Sequence, residues 1–248
     1  MRLRKFDDEA AREPGRAAFA ELARVIGEWE RGRDEIRVLE AGGGSLSHVP
    51  FRVRRRITLV DISPEQLERN QIAERKILGD LHDVDVGTAA YDAVVCFDVL
   101  EHLERPGLVL DKLCRAVGPD GILVVAGPNP RSLTGLITKW TPHWFHVLAL
   151  RHVLGDRTAG QPGRGPFRTY MHRDAEPERL RDAAERAGLE IAMFRQYESR
   201  RRADLHATSP WFGQLYDAAI AAGNRVTGRP LEASDFFMVA HRAGAPRR

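Results

Sequence analysis

The sequence predicts an α/β protein built on a mostly parallel sheet with helices on both faces. Three observations carry this expectation. Short apolar runs of strand length alternate with segments of helical periodicity. The first of these runs stops at three consecutive glycines, and an acid closes the run that follows.

Residues 15–31 place Phe19, Leu22, Val25, Ile26 and Trp29 at helical spacing, so an amphipathic helix opens the chain. Strand one is Ile36 to Ala41, and strand two runs from Ile57 to Ile62 past Asp61. Ser63 then reads as a helix N-cap with Pro64 as the first helical residue. The stretch between Gly44 and Ile57 is short for a full helix, so the first crossover is expected to be abbreviated. Strands follow at Lys76–Leu78 and Tyr91–Phe97, then a helix at Pro106–Val117, the turn signal Gly118-Pro119-Asp120-Gly121 and a strand at Ile122–Ala126. Helix 177–187, strand 189–196 and strand 236–241 complete seven strands, the last expected to be antiparallel.

Two stretches break the alternation. Residues 131–172 are rich in Trp, His, Gly and Pro, and residues 199–231 carry an aromatic helix with Trp211, Phe212, Leu215 and Tyr216. Both leave the sheet at its carboxyl edge, where open α/β sheets bind ligands, and are read as lids inserted in a single domain, 1–248.

A chain of 248 residues is long enough for a full core, and 43% apolar with 29% charged residues is globular composition. The net charge of +3 suggests no strong field for a polyanion. Cys96 and Cys114 lie far apart in apolar patterns and read as buried thiols in a reducing compartment. Met1 to Ala10 lacks the apolar core of a signal peptide, and no apolar run approaches the roughly 20 residues that span a bilayer. A soluble, cytoplasmic protein without a membrane partner, monomeric or homodimeric, is expected.

The chemistry concentrates at the strand ends. Glu40-Ala41-Gly42-Gly43-Gly44-Ser45 lets the backbone approach a ligand, and Asp61, about 20 residues on, suits a ribose diol. Gly79-Asp80 follows the third strand, where a carboxylate can accept from an adenine amino group. The run Tyr91 to Leu103 ends in Phe97-Asp98-Val99-Leu100-Glu101-His102, and Pro119 to Val125 follows.

In this order these motifs resemble the class I S-adenosylmethionine-dependent methyltransferases, in particular a small-molecule group with a Leu-Glu-His box; the resemblance covers roughly residues 36–130. It implies a Rossmann-like seven-stranded sheet, S-adenosylmethionine as cofactor and a small organic acceptor. O-methylation of a phenolic, sugar or polyketide-like compound is the leading expectation. Glu40, Gly42, Gly43 and Gly44 would then hold the methionine half, Asp61 the ribose hydroxyls and Asp80 the adenine amine. Ile62 would stack on the ring, Leu81 would present its backbone N–H to it, and Phe97 and Asp98 would line the sulfonium end. His102 is the candidate general base. His143, Trp144, His146, Tyr170, His172 and Trp211 are the candidate substrate contacts. Related quinone-pathway O-methyltransferases hold a metal on an acid-x-x-Glu-His pattern that Asp98, Glu101 and His102 match, but no metal is assigned, since many relatives share the box without one.

Other readings weigh less. Gly42-x-Gly44 with Asp61 would serve a nicotinamide dinucleotide, yet Ser47 stands where its third glycine belongs and Glu40 would repel a pyrophosphate. N- or C-methylation within the same fold stays open. Methylation of nucleic acid is disfavoured, because Phe97-Asp98-Val99-Leu100 stands where an Asp/Asn-Pro-Pro-aromatic box would lie. The arginine clusters at 52–56 and 200–202 read first as solvated faces, and secondarily, for 200–202, as an anion contact for the substrate.

Overall fold

The computed structural model describes residues 14–45, 49, 51–142, 144, 147, 148, 151 and 169–244. The expectations for Met1 to Ala10, Ser47, His143, His146 and His152 lie outside the described residues.

Seven strands form one sheet: β1 (Glu35–Ala41), β2 (Arg54–Asp61), β3 (Arg75–Leu78), β4 (Tyr91–Phe97), β5 (Val117–Pro128), β6 (Glu190–Tyr197) and β7 (Asp235–His241). Their order is β3-β2-β1-β4-β5-β7-β6. The first five run parallel, and β7 is antiparallel to both neighbours. Helices α1 (Pro14–Trp29), α2 (Pro64–Arg69), α3 (Pro106–Ala116), α4 (Leu133–Trp140), α5 (Pro177–Arg186), α6 (Arg201–Thr208) and α7 (Pro210–Thr227) accompany it. Two 3₁₀ turns cover Leu100–His102 and Arg173–Ala175. Among the described residues no helix is long and apolar enough to cross a membrane.

The period of two along each strand splits the apolar residues into two cores. Leu39, Val94, Leu123 and Met238 point to the side of Leu110, Leu113 and Leu180 from α3 and α5. Val38, Val95, Val124 and Phe237 point to the side of Leu22 and Ile26 from α1. Burial on both faces explains why β1, β4 and β5 read as nearly continuous apolar runs.

The first crossover is abbreviated as expected: among the described residues no helix lies between β1 and β2. An apolar plug takes the place of one. Val49 and Phe51 are buried in the α1-side core, and Phe51 meets the Trp29 ring edge-on at 6.3 Å. Glu30, only 5% exposed, accepts from the Arg52 N–H at 2.7 Å and tethers the loop to the end of α1.

The turn signal at 118–121 proves to be a bulge inside β5. Pairing with β4 jumps from Tyr91↔Val117 to Ala93↔Ile122, and Asp120 takes a left-handed φ of 56°. The indole of Trp29 and the guanidinium of Arg33 both donate to its carbonyl at 2.8 Å, which fixes the α1–β1 corner against it.

The arginine clusters make local bonds. Arg56 pairs with Glu35, Arg55 donates to the Phe51 carbonyl, Arg200 pairs with Asp204, and Arg202 with Glu198 and Asp217. Cys114 is pushed up to about 12 by burial and Cys96 further still, so both stay protonated thiols.

Glu30→Ala leaves the Arg52 amide without its part-buried acceptor and should cost about 1–3 kcal/mol in urea unfolding. The exposed partner Glu28, paired with Arg24 one turn away, should cost under about 0.5 kcal/mol on the same change. Equal losses would remove Glu30 as the tether.

Candidate active site

The carboxyl ends of β1 to β4 border a cavity of about 550 Å³. Gly42, Gly44, Asp61, Ile62, Asp80, Leu81, Asp98 and His102 all line it, with Tyr170 at one side.

The glycine turn is built by close approach. At Gly42 φ is +69°, and a Cβ there would lie 2.5 Å from Val99. A Cβ at Gly43 would lie 2.8 Å from both Glu40 Oε2 and Leu59, so no larger residue fits over the buried acid. The turn is then held from the β2 side. The Gly42 N–H donates to the Val60 carbonyl at 2.7 Å, and the Gly44 N–H donates to Asp61 Oδ2 at 2.9 Å. The other oxygen of Asp61 accepts from the Ser63 N–H at 2.9 Å, and the Ser63 hydroxyl caps α2 as expected.

Asn70 closes this arrangement, and sequence reasoning missed it. Fully buried, it donates from Nδ2 to the Gly44 carbonyl at 3.0 Å, while Oδ1 accepts from the Ile72 and Ala73 N–H groups. An asparagine just past a six-residue helix looks like an ordinary cap, so its local sequence gave no signal for the long-range bond.

At the β3 end, Asp80 Oδ1 accepts from the His82 N–H at 2.8 Å and from the His82 ring at 2.6 Å. The backbone bond, with the ring behind it and against some desolvation, holds the Asp80 carboxyl below the usual carboxylate range. The Arg105 N–H donates to His82 Nε2 at 3.2 Å, so the ring proton sits on Nδ1, facing Asp80. Lys112 from α3 donates to the Leu81 and His82 carbonyls at 2.9 and 3.0 Å. His82 and Lys112 also went unnoticed in the sequence, because neither lies in a recognisable motif.

Beside them Ile62 is 69% exposed, an apolar side chain left open at the cavity wall. Asp98 projects there through a left-handed φ of +53°. For a non-glycine residue this conformation costs of order 1 kcal/mol and recurs at ligand sites. His102 follows on the 3₁₀ turn, while Glu101 is turned inward, 5% exposed. The Glu101 carbonyl accepts from the N–H groups of Tyr170 and Met171, and the Tyr170 hydroxyl donates to Glu104 at 2.9 Å. These bonds bring the end of the first insertion to the cavity. Among the described residues no three His, Cys, Asp or Glu side chains group as a metal site.

Several expected contacts lie elsewhere. Phe97 is 4% exposed and packs toward Phe237 at 6.0 Å, because strand alternation turns it to the α1-side core. Glu40 lies beneath Gly43, 1% exposed, and supports the turn from below instead of lining the cavity. The His172 ring accepts from the Asp174 N–H and caps a short turn outside the cavity. Trp144 and Trp211 are 64% and 65% exposed and outside the cavity as well. None of the cavity lining comes from residues 199–231.

Comparison with known proteins decides the family. Residues 10–192 match the family model described as a methyltransferase domain. The chain belongs to this family. Its fold is that of the class I S-adenosylmethionine-dependent methyltransferases. The mitochondrial ubiquinone biosynthesis O-methyltransferase of Schizosaccharomyces pombe is 33% identical over 106 residues, 39% of this chain and 39% of that protein. The match thus spans about two fifths of that relative's length. Phosphoethanolamine N-methyltransferase 2 of Haemonchus contortus, solved with S-adenosyl-L-methionine, superposes with a TM-score of 0.56 at 13% identity, over 93% of this chain and 54% of that one. The [4+2]-cyclase SpnF reaches 0.52 at 17% identity, over 96% and 86%. Likeness at this distance shows the fold alone.

Asn70→Ala should release the methyltransferase glycine turn. S-adenosylhomocysteine affinity should fall about tenfold by calorimetry, with a stability loss of about 1–3 kcal/mol. A variant that loses stability while binding the ligand as before would make Asn70 a purely structural residue.

Proposed function

We propose that this member of the methyltransferase family transfers the methyl group of S-adenosylmethionine to an oxygen of a small organic acceptor. One observation carries the reading: a glycine turn, two carboxylates and an open apolar side chain meet in one cavity of about 550 Å³, a volume in the range of small-molecule sites.

The residues present fit the cofactor. Asp61 has both oxygens fixed by backbone N–H groups, which orients its remaining lone pairs for a ribose diol. Asp80, ionised and oriented by His82, suits an adenine amine, and Ile62 offers a face for the ring. The Gly42–Gly44 turn leaves room for the methionine half. When bound, the cofactor supplies an electrophilic methyl on a sulfonium.

The chain's own contribution is then alignment and exclusion of water. Asp98 stands at the end of β4, and His102 lies four residues further along the same wall. His102 would take the proton from the acceptor hydroxyl as the oxygen attacks. Tyr197 is no candidate for that role: burial, with the charges of Asp235 and Asp98 adding, pushes its phenol far above the ordinary range, so it stays protonated. Tyr170 supports the first insertion, 131–172, as a border of the acceptor site. The O-methyltransferase relative supports oxygen as the acceptor atom.

Asp61→Ala should weaken S-adenosylhomocysteine by about 1.5–3 kcal/mol in calorimetry. Tight binding of NADH with no response to S-adenosylhomocysteine would end the reading. For a hydroxyl acceptor, His102→Gln should lower turnover by about 10²–10⁴-fold while cofactor affinity stays within about twofold. Unchanged turnover would leave His102 a lining residue only.

A further inference from the structure

The His82 side chain is only 9% exposed, and both of its ring nitrogens are engaged. Nε2 accepts from the Arg105 N–H at 3.2 Å, so its lone pair is occupied and the ring proton is left to Nδ1. Nδ1 lies 2.6 Å from Asp80 Oδ1, which the His82 N–H also reaches at 2.8 Å. The loop that carries the ring is itself tied down, because Lys112 of α3 donates to the Leu81 and His82 carbonyls. A neutral imidazole whose acceptor nitrogen is taken by a backbone N–H has one proton to give and one place to give it.

Asp80 is open by contrast, its side chain 40% exposed at the cavity wall. A carboxylate on a short side chain ordinarily turns about its last bond and presents either oxygen. Here Oδ1 receives two donors from one residue, which leaves Oδ2 for a ligand. The same bonds, the backbone one foremost, hold the carboxyl below the usual carboxylate range against some desolvation. Asp80 therefore accepts and has no proton to donate. The 6-amino group of a purine completes this arrangement. A 6-oxo group in its place sets lone pair against lone pair. The donor that a 6-oxopurine does carry, its N1–H, lies one atom further along the ring edge, and a pinned carboxylate cannot turn to follow it.

We propose that His82 is a positioning residue that sets the base selectivity of the cofactor site, admitting a 6-aminopurine and rejecting a 6-oxopurine by denying Asp80 its rotation. This rests on the cofactor reading above and adds where the choice between bases is made. Asp80 makes the contact; His82 makes it exclusive.

The test is calorimetry of the full chain with S-adenosylhomocysteine and with S-inosylhomocysteine, which carries a 6-oxo group in place of the amino group. Wild type should bind the adenosyl ligand at least about thirtyfold more tightly. Asparagine carries its amide nitrogen where histidine has Nδ1, so His82→Asn keeps the bond to Asp80 and should keep this ratio within about threefold. Glutamine carries its amide further out, where histidine has Nε2, so His82→Gln keeps an acceptor for the Arg105 N–H and loses the hold on Asp80. In His82→Gln and His82→Ala the ratio should fall to about threefold or less. A ring that merely packed the loop would lower both affinities together, so an unchanged ratio in these two variants overturns the proposal. Loss of selectivity in His82→Asn overturns it as well. Wild type binding both ligands alike overturns it while leaving the cofactor reading in place, whereas wild type binding neither ends that reading and this proposal with it.

Discussion

The architecture of the site depends on how β2 holds the end of β1. Two parallel neighbours joined by a connection whose described residues form no helix rely on their ladder and the loop's tethers to fix the turn between them. The Gly42 N–H reaches the Val60 carbonyl, the Gly44 N–H reaches Asp61, and Asn70 grips the Gly44 carbonyl from below. Three backbone groups of the turn are thus given fixed partners, as a partly buried loop favours. Asp61 serves two ends at once: one carboxylate oxygen orders the glycine turn, the other orders the start of α2. Alignment of a ligand's ribose is then inherited from the sheet and not from a mobile side chain.

The opposite wall stores strain. Asp98 and Met171 both take left-handed φ values, +53° and +46°, and lie on either side of the 3₁₀ turn that carries His102. Each is held by backbone bonds, Asp98 to the Ala126 carbonyl and Met171 to that of Glu101. Strained residues of this kind persist only where surrounding structure determines them. Here the result is that a side chain which strand alternation would send to the core is turned into the cavity, one residue after Phe97 goes the other way.

The two faces of the carboxyl edge have been used differently. Around the cavity, polar groups converge and are oriented by second partners: Asp80 by His82, and His82 by Arg105. On α4 and α7, Trp140, Trp211 and Leu215 are exposed. Of the first insertion, Tyr170 borders the cavity, while Trp140 and Trp211 stand exposed away from it.

How much was legible follows from the range of each interaction. The period of two in the strands, the Ser63-Pro64 cap, the Gly42–Gly44 turn and the acids at the strand ends are local patterns, and the sequence by itself determined the seven-stranded sheet and the position of its ligand edge. Solvent and backbone geometry act on such patterns within a few residues, so they can be read from the chain alone. What only the tertiary structure decided concerns residues distant in sequence. It sent Phe97 against Phe237 and recruited Asn70, His82 and Lys112. Those outcomes depend on which side chains packing brings within a few ångströms across 20 to 140 residues of chain, and no spacing in the sequence encodes that distance.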